Sequence, residues 1–195
     1  MSNLKRCIML VSLVILLPGF ALAADTWIIY YTRSGNNKMI AGHIQSQMPG
    51  AHLVEIKTKD DRSGMLGFVS CMLDQWLDRD AEIDVEDLQM GENDTVIMCA
   101  PIWLQNLSSP ARTFIKKPGL KGKRLYLFIT YGGRMNEEKQ KVMEAWIRDQ
   151  GVTLEGVYGS AVGGKTEEDI KKQIDDYLKK AGLLTEREHE PLQPG

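Results

Sequence analysis

Short apolar runs alternate along this chain with stretches whose apolar residues fall at helical spacing. Residues 27–31 (Trp-Ile-Ile-Tyr-Tyr) form a first apolar run that ends in a polar turn at 32–37. Met39, Ile40, Ile44 and Met48 then recur at the three-to-four spacing of a helix, and Pro49-Gly50 stops it. Residues 52–56 predict a second strand and 57–62 a charged loop. Leu66, Phe68, Val69, Met72, Leu73 and Trp76 predict a helix over 65–77, and the segment 78–93 is acidic and irregular. Residues 94–100, closed by Pro101, and 124–130 are continuous apolar runs, the mark of strands buried on both faces of a parallel sheet. Helices are predicted around 110–117, 137–150 and 167–181, with a last strand over 153–162. Five βα units in succession predict an α/β fold, a doubly wound five-stranded parallel sheet with helices on both faces.

Residues 1–23 stand outside this pattern. Lys5 and Arg6 precede an apolar core at 8–17, Pro18-Gly19 breaks it, and Ala21-Leu22-Ala23 supplies a small-x-small cleavage site before Ala24. That is the layout of a secretory signal peptide, too short to span a membrane comfortably. The expectation is an exported protein, periplasmic or secreted, with no stable membrane insertion after cleavage. Its domain occupies 24–184, and the polar tail 185–195, with two prolines, is expected to be disordered. Removing Lys5 and Arg6 takes the 24 basic residues to 22 against 26 acidic ones, a net charge of −4. Mild acidity without a basic stripe argues against a nucleic-acid partner. Cys71 and Cys99 could pair in an oxidising compartment, although Cys99 at the end of an apolar strand also reads as a buried thiol.

In a sheet of this type ligands bind outside the carboxyl ends of the strands, where strand order reverses. Three loops leave such ends: 32–37, 101–109 and 130–134. The first offers hydroxyls, a glycine and a run of backbone amides at a helix N-terminus, which is how a chain holds a phosphate without a dedicated cation. An ordinary turn capped by Ser34 or Asn36 would read the same way. His43, His52 and His189 lack metal-ligand spacing, and Ser108-Ser109 has no base partner in sequence, so neither a metal site nor a catalytic residue is assigned.

Together the three loops resemble flavodoxin, over nearly the whole of residues 24–184. Thr32-Arg33-Ser34-Gly35-Asn36-Asn37 is similar to the family's FMN-phosphate loop. Pro101-Ile102-Trp103-Leu104, with the helix that follows, is similar to its flavin-ring loop, and Thr130-Tyr131-Gly132-Gly133 to its third loop. The resemblance implies strand order 2-1-3-4-5 and FMN as cofactor. Thr32, Ser34 and Asn37 would bind the phosphate through side chains, and the amides of Arg33, Ser34, Gly35, Asn36 and Asn37 would complete the nest. Trp103 and Tyr131 would flank the isoalloxazine ring, while amides near Leu104, Gly132 and Gly133 meet its pyrimidine edge. Read without the resemblance, Trp103 also fits a core or rim aromatic, Tyr131 a corner residue with its hydroxyl in water, and Gly132-Gly133 a tight turn.

Gln105 and Asn106 depart from the pattern, standing where relatives tend to carry glycine or small residues. The implied function is electron transfer to a redox partner protein or a small-molecule acceptor. A quinone or small-electrophile reductase, and a cofactor-free binding module on the same fold, are the alternatives.

Overall fold

A computed structural model describes residues 24–60 and 64–184. Residues 1–23, read as a signal peptide, and the tail 185–195, expected to be disordered, therefore lie outside the described residues. Among those described, no helix is long and apolar enough to cross a membrane.

The sheet is built from β1 (Thr26–Tyr30), β2 (His52–Glu55), β5 (Thr95–Trp103), β7 (Arg124–Tyr131) and β8 (Thr153–Ala161). All four pairings between them are parallel, in the order β2-β1-β5-β7-β8, which is the 2-1-3-4-5 arrangement. Their side chains feed two cores. On one face Val96, Met98, Leu125, Leu127 and Ile129 pack against Phe114 and Ile115 of α3 (Ser109–Ile115) and Met143 and Ile147 of α4 (Glu137–Asp149). On the other, Ile28, Tyr30, Ile97 and Phe128 meet Ile40 and Ile44 of α1 (Asn36–Gln47) and Ile170, Ile174 and Leu178 of α5 (Glu167–Lys180). The continuous apolar runs are explained by this double burial: β5 is buried without a break from Thr95 to Ala100.

Two expectations are corrected at strand ends. Lys57 and Thr58, read as loop, form a two-residue strand β3 antiparallel to β4 (Ile83–Asp84), inside the segment read as irregular. Nor does Pro101 close β5. The strand runs on to Trp103 and folds back on β6 (Asn106–Leu107) as a hairpin. Cys99, two residues earlier and pointing the same way, accepts from the Tyr31 amide just past the end of β1. Pro101 lies beyond that end, so its missing N–H costs no ladder bond, and its carbonyl accepts from Ser108 at 3.0 Å.

The remaining helix, α2 (Gly64–Trp76), ends in a left-handed residue, Asp78 at φ 52°, with the Arg79 amide bonded back to the Asp74 carbonyl. This is a Schellman stop with aspartate in place of the usual glycine. No residue of α2 belongs to either core. Cys71 on α2 and Cys99 on β5 are both buried and are not disulfide-linked. Burial alone pushes the Cys99 thiol far up, so it stays protonated and inert.

Candidate functional site

The three loops gather at the carboxyl edge of the sheet around β1 and β5, the point where strand order reverses. The first belongs to the turn after β1. Gly35 caps α1 in the left-handed region at φ 89°, and a Cβ there would meet nothing within 4 Å, so the turn opens onto space. No side chain caps the helix: neither Ser34 nor Asn36 fills the role of an ordinary N-cap. The first-turn amides of Asn36, Asn37 and Lys38 have no intrahelical acceptor and keep their positive character for an anion. Thr32 Oγ1 is engaged within the turn, accepting from the Gly35 amide at 3.0 Å, and Asn36 Nδ2 donates to Ser34 Oγ at 3.3 Å.

Asn37 does something that its place in the turn did not announce. Its side chain is 2% exposed and is turned inward. Its Nδ2 donates to Thr130 Oγ1 at 3.1 Å, and the same hydroxyl returns a bond to Oδ1 at 3.3 Å. The carboxamide therefore ties the first loop to the end of β7, and only the backbone amide of Asn37 is left for a phosphate. Arg33 likewise leans away, donating to the Gly64 carbonyl at 3.0 Å with its guanidinium 5.1 Å from the Phe68 ring centre.

The second loop is the β5–β6 hairpin. Ile102 faces Leu107 and Trp103 faces Asn106 across a two-residue turn made by Leu104 and Gln105 at φ 47° and 64°. Both central residues at positive φ is the turn that matches strand twist, normally an Asn-Gly or Gly-Gly pair. Leu-Gln there costs about 1–2 kcal/mol per residue. Gln105 offsets part of that cost: its Nε2 donates to the Arg134 carbonyl at 2.9 Å and its Oε1 accepts from the Asn136 amide at 2.8 Å. One side chain thus joins the second loop to the third. Trp103 is half-buried and meets Tyr31 edge-on at 5.7 Å.

In the third loop Tyr131 is half-buried and Gly132 and Gly133 are exposed, with open space at both glycines. The Tyr131 ring lies against the Cα of Gly159, and the Gly132 carbonyl against Gly163, where added Cβ atoms would come within 2.9 and 2.7 Å. The Val162 amide also bonds the Tyr131 carbonyl at 3.0 Å. Burial first, then the neighbouring Tyr177, raises the Tyr131 phenol above its ordinary value, so it stays neutral near pH 7.

Sequence reasoning placed all the predicted site residues on the three loops, and the structure brings those loops to one edge. It missed Gln105 and the inward role of Asn37 as the ties between them, and nothing in a single sequence marks a carboxamide that bridges loops 93 positions apart. Among the described residues no group of three or more His, Cys, Asp or Glu side chains could hold a metal ion.

No protein-family model and no curated protein matches the chain. Solved structures do. A flavoprotein from Lactobacillus acidophilus NCFM in complex with FMN aligns at TM-score 0.59 and 22% identity, over 77% of this chain and 99% of that one. Oxidised flavodoxin 2 from Bacillus cereus aligns at TM-score 0.51 and 17% identity, over 82% and 99%. General stress protein 14 from Treponema denticola in complex with FMN aligns at 0.50 and 13%, over 83% and 99%. The fold is flavodoxin-like.

Proposed function

We propose that this protein is an exported FMN-binding redox protein that passes electrons to a partner protein or a small-molecule acceptor. The observation that carries the reading is the uncapped N-terminus of α1 at Gly35, opening onto the edge where two half-buried aromatic loops converge. The FMN held by two of the structural neighbours supports it. The residues present fit the group. Backbone amides of Asn36, Asn37 and Lys38, with the Ser34 hydroxyl, would hold the phosphate, while Arg33 adds charge from a distance. Trp103 and Tyr131 would cover the ring and exclude water, and the amides of Gly132 and Gly133 would face its polar edge. Bound there, FMN would supply reversible electron transfer. A ring buried beside neutral groups is harder to reduce to an anion, which is the protein's share in setting the potential.

A second reading, a two-electron reductase of quinones or small electrophiles, is favoured by the hairpin. Leu104 and Gln105 already hold a turn that glycine usually makes, and Gln105 is bonded at both ends of its amide. A peptide so held has little freedom to turn over with the redox state of a neighbour.

Titration of the purified protein with FMN and with riboflavin, followed by flavin fluorescence, tests the site. Quenching at micromolar FMN is expected, with riboflavin at least about tenfold weaker because it lacks the phosphate. Ser34→Asp should weaken FMN but not riboflavin, through like-charge repulsion. Equal affinity for the two flavins, or no quenching by a folded protein, would overturn the assignment.

A further inference from the structure

Behind the hairpin, on the side of α4, lies a cavity of about 280 Å³ that the flavin reading does not use. Its walls come from the end of α2 (Gln75, Asp78), the hairpin turn, α3 (Arg112) and α4 (Lys139, Val142, Trp146). Two of these side chains are more than nine-tenths buried and incompletely bonded. Gln75, 8% exposed, donates through Nε2 to the Leu107 carbonyl at 3.0 Å, but its Oε1 has no partner among the described residues. Arg112, 4% exposed, is paired with Asp78 and donates to the Arg79 carbonyl at 3.2 Å, yet its Nε–H has none. Natural proteins leave few such groups, and each costs about 1–3 kcal/mol, so a cluster of them around a cavity calls for an explanation.

We propose that this cavity binds a small monoanionic carboxylate carrying a hydroxyl on an apolar, preferably aromatic, body. The charges set the anion. Arg112 and Lys139 stand against Asp78 alone, leaving one positive charge for the ligand to balance. The carboxylate accepts from Arg112 and Lys139, and the hydroxyl donates to Gln75, whose Oε1 has no partner among the described residues. Val142 and Trp146 give the body an apolar wall, and the volume suits a single ring. Asp78 fits the same purpose. An aspartate in the left-handed stop position of α2, where glycine is easier, holds Arg112 at the cavity rim.

The test is calorimetric titration of the wild-type protein, with and without saturating FMN, using 4-hydroxybenzoate as probe and its uncharged methyl ester as control. Saturable one-to-one binding of the acid, unaffected by FMN and at least about tenfold tighter than the ester, is expected. Lys139→Glu should weaken it by about tenfold or more, and Val142→Trp, at a position open to solvent, should fill the cavity and abolish it. Three results would overturn the proposal: no saturable binding by the folded wild type, competition with FMN, or affinity unchanged in both variants.

Discussion

Helices α2 and α5 bury residues at the same positions of the helical repeat and put opposite chemistry there. In α5 the buried residues are Ile170, Ile174 and Leu178, spaced four apart, with charged residues outside. In α2 they are Gly67, Cys71 and Gln75, again four apart, while Met65, Leu66, Phe68, Val69, Leu73 and Trp76 face outward. α5 is also closed at its start by a reciprocal capping box between Thr166 and Asp169, with acidic residues in its first turn and basic ones in its last. α2 has neither an acidic first turn nor a basic last one. The difference teaches that helical spacing of apolar residues announces a helix but not which side of it faces the protein. α5 is held by its core. α2 is held by a narrow seam, by Gln75 on the hairpin and by Arg33 across its start.

The sharpest way to break this comparison is to remove the same bulk from each helix. Ile174→Ala in α5 should cost about 2–5 kcal/mol in a thermal or urea melt, since it empties a site that is 1% exposed. Losing the cap comes next: Thr166→Ala should cost about 0.5–2 kcal/mol by the same measurement. That loss should depend on pH. Hydrogen bonds from the Thr166 side chain and backbone, the larger causes, hold the Asp169 carboxyl below its usual range. A depressed folded pKa stabilises above the unfolded value of about 3.9 and stops doing so as pH falls through the folded one. Melts repeated in that acid window should therefore show wild type and Thr166→Ala converging; a gap that stays constant would mean Asp169 takes no part in the cap. Smallest of all, Leu73→Ser in α2 should stay within about 0.5 kcal/mol of the parent, because the side chain is 47% exposed. A loss comparable to that of Ile174→Ala would show that the outer face of α2 is packed in solution, and the contrast would fail.

Much of the fold was legible because period and burial coincide. The unbroken apolar runs of β5 and β7 mark strands covered on both faces, and the helices α1, α4 and α5 fall where their apolar spacing predicts. What escaped was short or long-range. A two-residue ladder such as Lys57–Thr58 against Ile83–Asp84 leaves no periodicity to read. The run of β5 past Pro101 depends on where β1 happens to end. The candidate loops could be read from their turn residues and aromatics, but not how their side chains are tied: the Asn37 carboxamide bonds Thr130 across the site.

By itself, then, the sequence determined the alternation of strands and helices, the parallel sheet that follows from it, and the three loops at its carboxyl edge, because each of these rests on local spacing and composition. Only the tertiary structure decided which face of α2 turns inward, that Gln105 binds the second loop to the third, and that Gln75 and Arg112 meet around one cavity. Those outcomes depend on groups 29 to 34 positions apart coming into contact, and no local pattern carries that information.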